Sequence, residues 1–549
     1  MSKRRQKFEV WTIVSIVLAL FFLLFLLYPI AMLLKQAFFN EDGFTLEQFV
    51  RFFEKPYYYN TILNSAKVSV CTTLLSLAIG TLFSYFYSFY NLKGAKILLI
   101  VSVLCSMSAP FIGAYSWILL LGRSGLITKL LKLVGLKVGS IYGFKGILIV
   151  QASNLYPLVF IYMNGLFKNI DNSLLEASAN LGCSGAKRFF TVILRLAMPT
   201  ILASALLVFM RAFADFGTPL LIGEGYRTFT VEIYTQFLSE VGSNYAFASA
   251  ISVIAILITT VVFLLQKYAT KRNSFTMNSL HPIEKKDPKG FKGFLMHLFC
   301  YVVIAIAALP QIYIIILSFR NSKSGVMQEG YSFNNYIEAA DRHLLRATKN
   351  TVILGVAALA LIILFAIMIS YLSVRRPSPL NRAIDTFSMI PYIMPGAVMA
   401  IALVSAFGKK PLILTGTMII MILSITIRRM PNTIRSSTAS LIQIPISIEE
   451  AALSLGASKL KTFFKITVPM MSNGIISGAI LSWVSIVTEV SSTAILYTSS
   501  TMTLTIGTYS NITRGNLGVA TVFATVTTVL TMLSLLIYLL VSDSDDIKL

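Results

Sequence analysis

The sequence predicts an all-α polytopic membrane protein of about twelve transmembrane helices, arranged as two parallel repeats of six. Two observations carry this prediction. Hydrophobic residues make up 56% of the 549 and charged residues only 13%, with a mean hydropathy of +0.77, which excludes an ordinary soluble globule. A short polar pattern also occurs twice, from Glu176 through Ala177, Ser178 and Gly182 and again, 274 residues later, from Glu450 through Ala451, Ala452 and Gly456.

A membrane-crossing helix needs about 20 predominantly apolar residues. In the first half such runs lie near 11–34, 63–90, 97–121, 147–166, 199–221 and 246–266; in the second, near 295–318, 351–374, 386–407, 411–427, 474–496 and 517–540. Backbone polar groups find no water in lipid, so runs of this length read as helices, and strand-like alternation of the barrel type is not seen. The first run is too long for a signal-peptide core and lacks a small-residue cleavage site, so it is expected to stay as an uncleaved helix.

Lysine and arginine set the orientation. With Lys3, Arg4, Arg5 and Lys7 inside, 27 of the 46 basic residues fall on the cytoplasmic side and 17 outside, leaving Lys67 and Arg211 within helices; both termini are then cytoplasmic. The net charge of +23 is spread along connecting loops without an interleaved basic and aromatic module, so it implies contact with anionic membrane lipid and not with nucleic acid. Cys71, Cys105, Cys183 and Cys300 never form C-x-x-C, and neither a disulfide framework nor a zinc site is indicated.

Residues 267–294 are polar, basic and broken by Pro282 and Pro288, and read as a cytoplasmic linker between a first membrane domain, 1–266, and a second, 295–549. An even number of crossings precedes the linker, so the repeats enter the membrane in the same direction. Asn64 and Tyr85 match Asn350 and Tyr371 at an offset of 286, whereas Asp215 matches Glu489 at 274. The first copy therefore holds about 12 extra residues, expected in the outer loop 122–146.

The two polar loops, 168–198 and 428–472, carry the most information. Each glutamate is expected to open a short helix, where a negative side chain suits the N-terminus, and the small residues after it let another surface approach. The glycine six positions on permits a bend. An aromatic and basic run follows (Lys187, Arg188, Phe189, Phe190; Lys461, Phe463, Phe464, Lys465), then a proline, Pro199 or Pro469, leading into the next span. One such pattern is ordinary in a cytosolic helix. Two, each between the fourth and fifth spans of a six-helix half, are not.

The pattern E-A-A-x-x-x-G-x9-I-x-L-P resembles the cytoplasmic coupling loop of bacterial ATP-binding-cassette importer permeases of type I. The second copy fits at Glu450, Ala451, Ala452, Gly456, Ile466 and Pro469, with Val468 for leucine. The first has Ser178 and Val192 as variants and Arg195 at the usual proline, with Pro199 at a second proline position. Resemblance extends along the chain through Pro110–Tyr115, Ala214–Pro219, Pro391–Gly396 and Arg429–Pro431, which look like the fused, double-length permeases of ferric-iron importers. Relatives of those carry thiamine, aminoethylphosphonate, sugar phosphates or polyamines. The resemblance implies a bacterial inner-membrane transporter subunit, not an enzyme. Its partners would be ABC ATPase subunits, two copies facing the two loops, and an extracytoplasmic substrate-binding protein. In keeping with this, the chain has no G-x-x-x-x-G-K-[ST] phosphate loop.

Ionisable groups inside a membrane are expensive and mark pathways by default. Lys67 lies near a helix end and can snorkel. Asp215 and Glu489 are equivalent in the two repeats and, with Arg211, are the pathway candidates; structural capping or an ion pair with Arg211 is the competing reading. His281, His297 and His343 are far apart, and no cofactor or resident metal is expected. A secondary transporter would need intramembrane ion sites in place of paired docking loops. A membrane-embedded enzyme would need a catalytic constellation that is missing.

Overall fold

The computed structural model describes residues 10–106, 109–136, 139–238, 244–272, 281, 283–323 and 325–541. The basic residues Lys3, Arg4, Arg5 and Lys7 and the middle of the expected linker, 273–280 with Pro282, lie outside the described residues. Among the described residues, nine helices are long and apolar enough to cross a membrane, or eleven if each of two sharply bent pairs counts as one span. A further helix, Met418–Ile442, occupies the remaining predicted place but falls short in hydropathy, because Arg428, Arg429 and Arg435 stand within it. Helical segments thus occur at all twelve expected positions.

The repeats are in close register. Pro110–Leu121 and Gly396–Phe407 match end to end at an offset of 286, whereas Phe144–Lys168 and Met418–Ile442 match at 274. The difference, 286 − 274 = 12, falls between Leu121 and Phe144, where the short helix Leu126–Leu133 has no counterpart. This is where the extra residues were expected.

Hydropathy alone misplaces several features. The expected span 386–407 is two helices, Pro379–Ile393 and Gly396–Phe407, bent by 114°. Met394 is extended there and Pro395 supplies no backbone N–H, so the helical ladder stops. The expected spans 199–221 and 474–496 likewise end early, at Phe213 and Val487, and resume as the short helices Gly217–Ile222 and Thr493–Leu496. The expected linker 267–294 is shorter than drawn, since Tyr245–Arg272 runs into it and Gly290–Ser318 begins before 295.

Each repeat lends its first helix to the other. Val10–Phe38, interrupted by a π-helical turn at Leu23–Leu27, packs on Leu344–Arg375, Pro379–Ile393 and Gly396–Phe407. Phe21 meets Phe365 with ring centroids 4.5 Å apart, and Phe25 meets Phe407 at 5.7 Å. Reciprocally, Gly290–Ser318 packs on Ala95–Ser106 and Pro110–Leu121, and Phe299 meets Phe86 of the Pro56–Phe89 helix. The largest core cluster therefore mixes residues of both repeats. Between the repeats, Tyr234 and Tyr509, equivalent at an offset of 275, place their hydroxyls 3.4 Å apart, the contact that residues beside a local two-fold axis make.

Candidate functional site

The two motif loops have the same geometry. Helix Asn172–Asn180 begins after Asp171, whose carboxylate accepts from Ser173 N at 2.9 Å; its counterpart Ile446–Ser454 begins after Pro445. Glu176 and Glu450 do not open these helices, as the sequence reading expected, but stand at the fifth position, exposed. The capping role falls to Asp171, a better N-cap residue than glutamate. Ala177 and Ala451 share the exposed face, while Ser178 and Ala452 are buried beneath it.

Both helices end in the same turn. Gly182 N bonds to Ala179 O and Cys183 N to Ser178 O; Gly456 N bonds to Leu453 O and Ala457 N to Ala452 O. This doubly bonded C-terminal motif needs a left-handed residue, and Gly182 and Gly456 supply it with φ of 76° and 86°. Just before each glycine a leucine projects outward, Leu181 at 87% and Leu455 at 89% exposure. These two were not singled out from the sequence. Their signal was a leucine at the same motif position in both copies.

After the turn come Gly185–Arg188 and Lys459–Thr462, each continuing into a π-helical turn, Phe189–Ile193 or Phe463–Thr467. The first phenylalanine of each is buried, Phe189 4.8 Å from Tyr85 and Phe463 4.7 Å from Tyr371. The next, Phe190 or Phe464, is exposed. Pro199 lies within Leu194–Phe213, whereas Pro469 precedes a 67° bend before Ser472–Val487.

The anchors behind the loops differ. In the first repeat Leu175 packs with Phe89 and Phe167. The equivalent positions of the second hold a buried ion pair, Arg375 Nε to Glu449 at 2.9 Å, with the Tyr371 hydroxyl donating to the same carboxylate at 3.3 Å. Trp11, from the exchanged first helix, packs against Tyr371 in a tilted contact and against Phe463 edge-on, with centroids 4.5 and 4.8 Å apart. The first loop is instead touched by the linker, where His281 N donates to Asp171 and His281 O accepts from Asn172 N. Nearby, Lys285 lies 5.0 Å from the Tyr87 ring centroid; burial and neighbouring Lys168 hold its ammonium below the usual lysine range.

Asp215 and Glu489 occupy the equivalent helix breaks, and each backbone carbonyl accepts from an equivalent threonine, Thr230 or Thr505, at 2.8 Å. Their carboxylates have different neighbours. Asp215 accepts from Gln151 Nε2 at 3.0 Å and Thr218 N at 3.3 Å. Glu489, with its side chain 1% exposed, accepts from Arg428 at 2.7 Å, from Arg429, from Ser491 Oγ and from Ser492 N. Among the described residues Arg211 pairs with neither acid; it is exposed on Leu194–Phe213. Both acids therefore cap the short helix that follows, and the second also anchors two arginines. Lys67 is exposed, with its ammonium 5.2 Å from the Phe144 ring centroid.

Arg428 escaped the sequence reading, and Arg429 entered it only as part of the Arg429–Pro431 resemblance, because the tenth span was ended at 427, where hydropathy falls. The repeat held the correction: moving 147–166 by 274 gives 421–440. Gly396, at the 114° bend, makes room for this cluster, since a Cβ there would lie 2.2 Å from Ser491 Oγ and 2.8 Å from Arg428 Nη1. Among the described residues no group of three metal-ligating side chains is present.

Known proteins share this organisation. Residues 3–274 and 362–544 match the family described as the binding-protein-dependent transport system inner membrane component. Over 97% of its length the chain is 29% identical to the ferric transport system permease protein FbpB of Actinobacillus pleuropneumoniae, covering 78% of that protein. A second relative, the Fe(3+)-transport system permease protein FbpB 2 of Haemophilus influenzae, is 22% identical over 86% of this chain and 87% of its own length. The spermidine/putrescine transport system permease protein PotB of H. influenzae is 30% identical over 47% of this chain and 93% of its own. With two matching segments that together span most of its length, the chain belongs to the family of binding-protein-dependent transport system inner membrane components.

Proposed function

We propose that this chain is the membrane permease of an ATP-driven importer and carries ferric iron handed over by an extracytoplasmic binding protein. The observation that carries the class is the pair of loops with the same helix-and-turn pattern, each presenting an exposed glutamate, a small residue and a projecting leucine beside a left-handed glycine. Two equivalent surfaces on a pseudo-symmetric chain suit two copies of one ATPase. Glu176, Ala177, Ser178, Gly182, Glu450, Ala451, Ala452, Gly456 and Pro469 would form or support the docking surfaces. Iron as cargo is supported by likeness to ferric permeases over nearly the whole chain, against half-length likeness to a polyamine permease. On this reading the two membrane domains expected at 1–266 and 295–549 extend inward to Arg272 and Gly290, and the residues between these are the linker. Both loops and both termini face the cytoplasm, and Asp215, Glu489 and Arg211 border the pathway.

Proteoliposomes holding this chain with its ATPase and binding protein should accumulate 55Fe(III) only when ATP is supplied on the loop side. Gradient-driven uptake by the chain alone would instead identify a secondary transporter.

A further inference from the structure

Each docking loop is braced by chain that leads into the first helix of a repeat. Behind the second loop this is Trp11, at the start of Val10–Phe38, against Tyr371 and Phe463. Behind the first it is the linker that runs into Gly290–Ser318. Tyr85 and Phe189 are the equivalents of Tyr371 and Phe463 at offsets of 286 and 274, and the apolar cluster that they form with Phe89, Phe167 and Leu175 is joined by Ile283.

The second loop is also tied down by directional bonds, from Arg375 to Glu449. Phe89 and Leu175 stand at those positions in the first repeat, and their side chains can make none. The linker supplies them from its backbone. Phe89 O accepts from Lys286 N at 2.9 Å, Lys286 O accepts from Asn91 N at 3.0 Å, and Asn91 Nδ2 donates to the Asp287 carboxylate at 2.8 Å. Tyr90 and Lys286 thereby form a parallel bridge. Earlier in the linker, His281 O accepts from Asn172 N at 2.9 Å, one of the first-turn amides of the docking helix that have no partner within the helix. Later, the start of Gly290–Ser318 grips the same turn that Lys286 does: His297 Nε2 accepts from Lys93 N at 3.2 Å, and the Tyr301 hydroxyl donates to Lys93 O at 2.7 Å.

We infer that His281 and residues 283–287 are a positioning strap, which holds the first docking helix and the turn at Tyr90–Lys93 to the start of Gly290–Ser318. The strap does for the first loop what Trp11 and the Arg375–Glu449 pair do for the second. The linker is then part of the coupling apparatus and more than a tether between repeats. This rests on the proposed docking of both loops on an ATPase. Because the strap bonds to the first loop alone, loosening it affects the two loops unequally.

The test uses the complete importer with a photoreactive side chain at Leu181 or at Leu455, and reads the crosslink to the ATPase from each. Lys286→Pro removes the N–H that Phe89 O accepts from. It should lower the Leu181 crosslink by about five-fold, which is what one backbone hydrogen bond is worth in an equilibrium, while sparing the Leu455 crosslink. ATP-driven uptake per folded protein should fall with it. Ile283→Ala should act in the same direction, and Trp11→Ala should do the reverse, lowering the Leu455 crosslink and sparing Leu181. A role in stability alone would not sort the variants by loop. Lys286→Pro and Ile283→Ala proteins that crosslink and transport as the parent does would overturn the strap, and so would equal loss of both crosslinks. If Lys286→Pro yields no folded protein, Ile283→Ala, which leaves every backbone bond in place, decides by the same two crosslinks. A transport-competent parent that crosslinks from neither leucine removes the docking reading and the strap's role with it, an outcome told apart from failure of the strap because it appears without any linker substitution.

Discussion

Glu489→Gln should sharply reduce the amount of folded protein recovered from membranes, whereas Asp215→Asn should reduce it much less. The two acids are equivalent in sequence, and amide replacement keeps the volume of each. Their neighbours decide the difference. Glu489 balances Arg428 and Arg429 in an enclosed site, and a glutamine there leaves two guanidiniums without a counter-charge. Removing one partner of a buried pair costs about 3–5 kcal/mol, a large part of a typical total stability of about 5–15 kcal/mol. Asp215 Oδ2 accepts from Gln151 and Oδ1 from Thr218 N, so asparagine keeps one of these bonds and turns its NH2 toward the other donor, but strands no charge. Monodisperse protein measured in mild detergent for the two variants checks this. Equal recovery would show that the arginines find other partners. Uptake per folded Asp215→Asn protein then reports on the pathway role, and full uptake by the double amide variant would remove both acids from the pathway.

Gly456→Val should abolish ATP-driven uptake, by well over ten-fold, in a protein that still inserts and folds. A Cβ at Gly456 meets nothing within 4 Å, so the change does not collide with the rest of the chain. The penalty is conformational, because φ of 86° costs an ordinary L-residue roughly 1–2 kcal/mol, and a β-branched one tolerates it least. Relaxing the turn moves Leu455 and the small-residue face away from the position a partner would meet. The weaker motif match of the first loop led to the expectation of a milder effect at Gly182. Its geometry argues for a similar one, since φ is 76° and the surrounding space is equally open. Uptake and ATPase co-purification, measured on both variants, check this. Normal uptake by the Gly456→Val protein would remove the docking assignment.

Helix positions were legible because the membrane enforces a length and an apolar content that few other contexts require. The loops were legible because duplication showed the same spacing twice. Interruptions were not: a hydropathy average runs straight through Pro395, Asp215 and Glu489, although each sits where helical bonding stops. Nor does an apolar helix state its partner, so nothing in 11–34 announced that Trp11 would pack against Tyr371, 360 residues on. The Arg375–Glu449 pair was hidden for a related reason. Its members lie 74 residues apart, and the first repeat fills the same places with Phe89 and Leu175.

On the proposed function both loops dock on an ATPase in the same way. A photoreactive side chain introduced at Leu181 or at Leu455 in the assembled importer tests it most directly. Crosslinks to the ATPase from both positions, in comparable yield and lost together when the Gly182 or Gly456 turn is disrupted, are the predicted result. Transport-competent protein that crosslinks from neither leucine would contradict it.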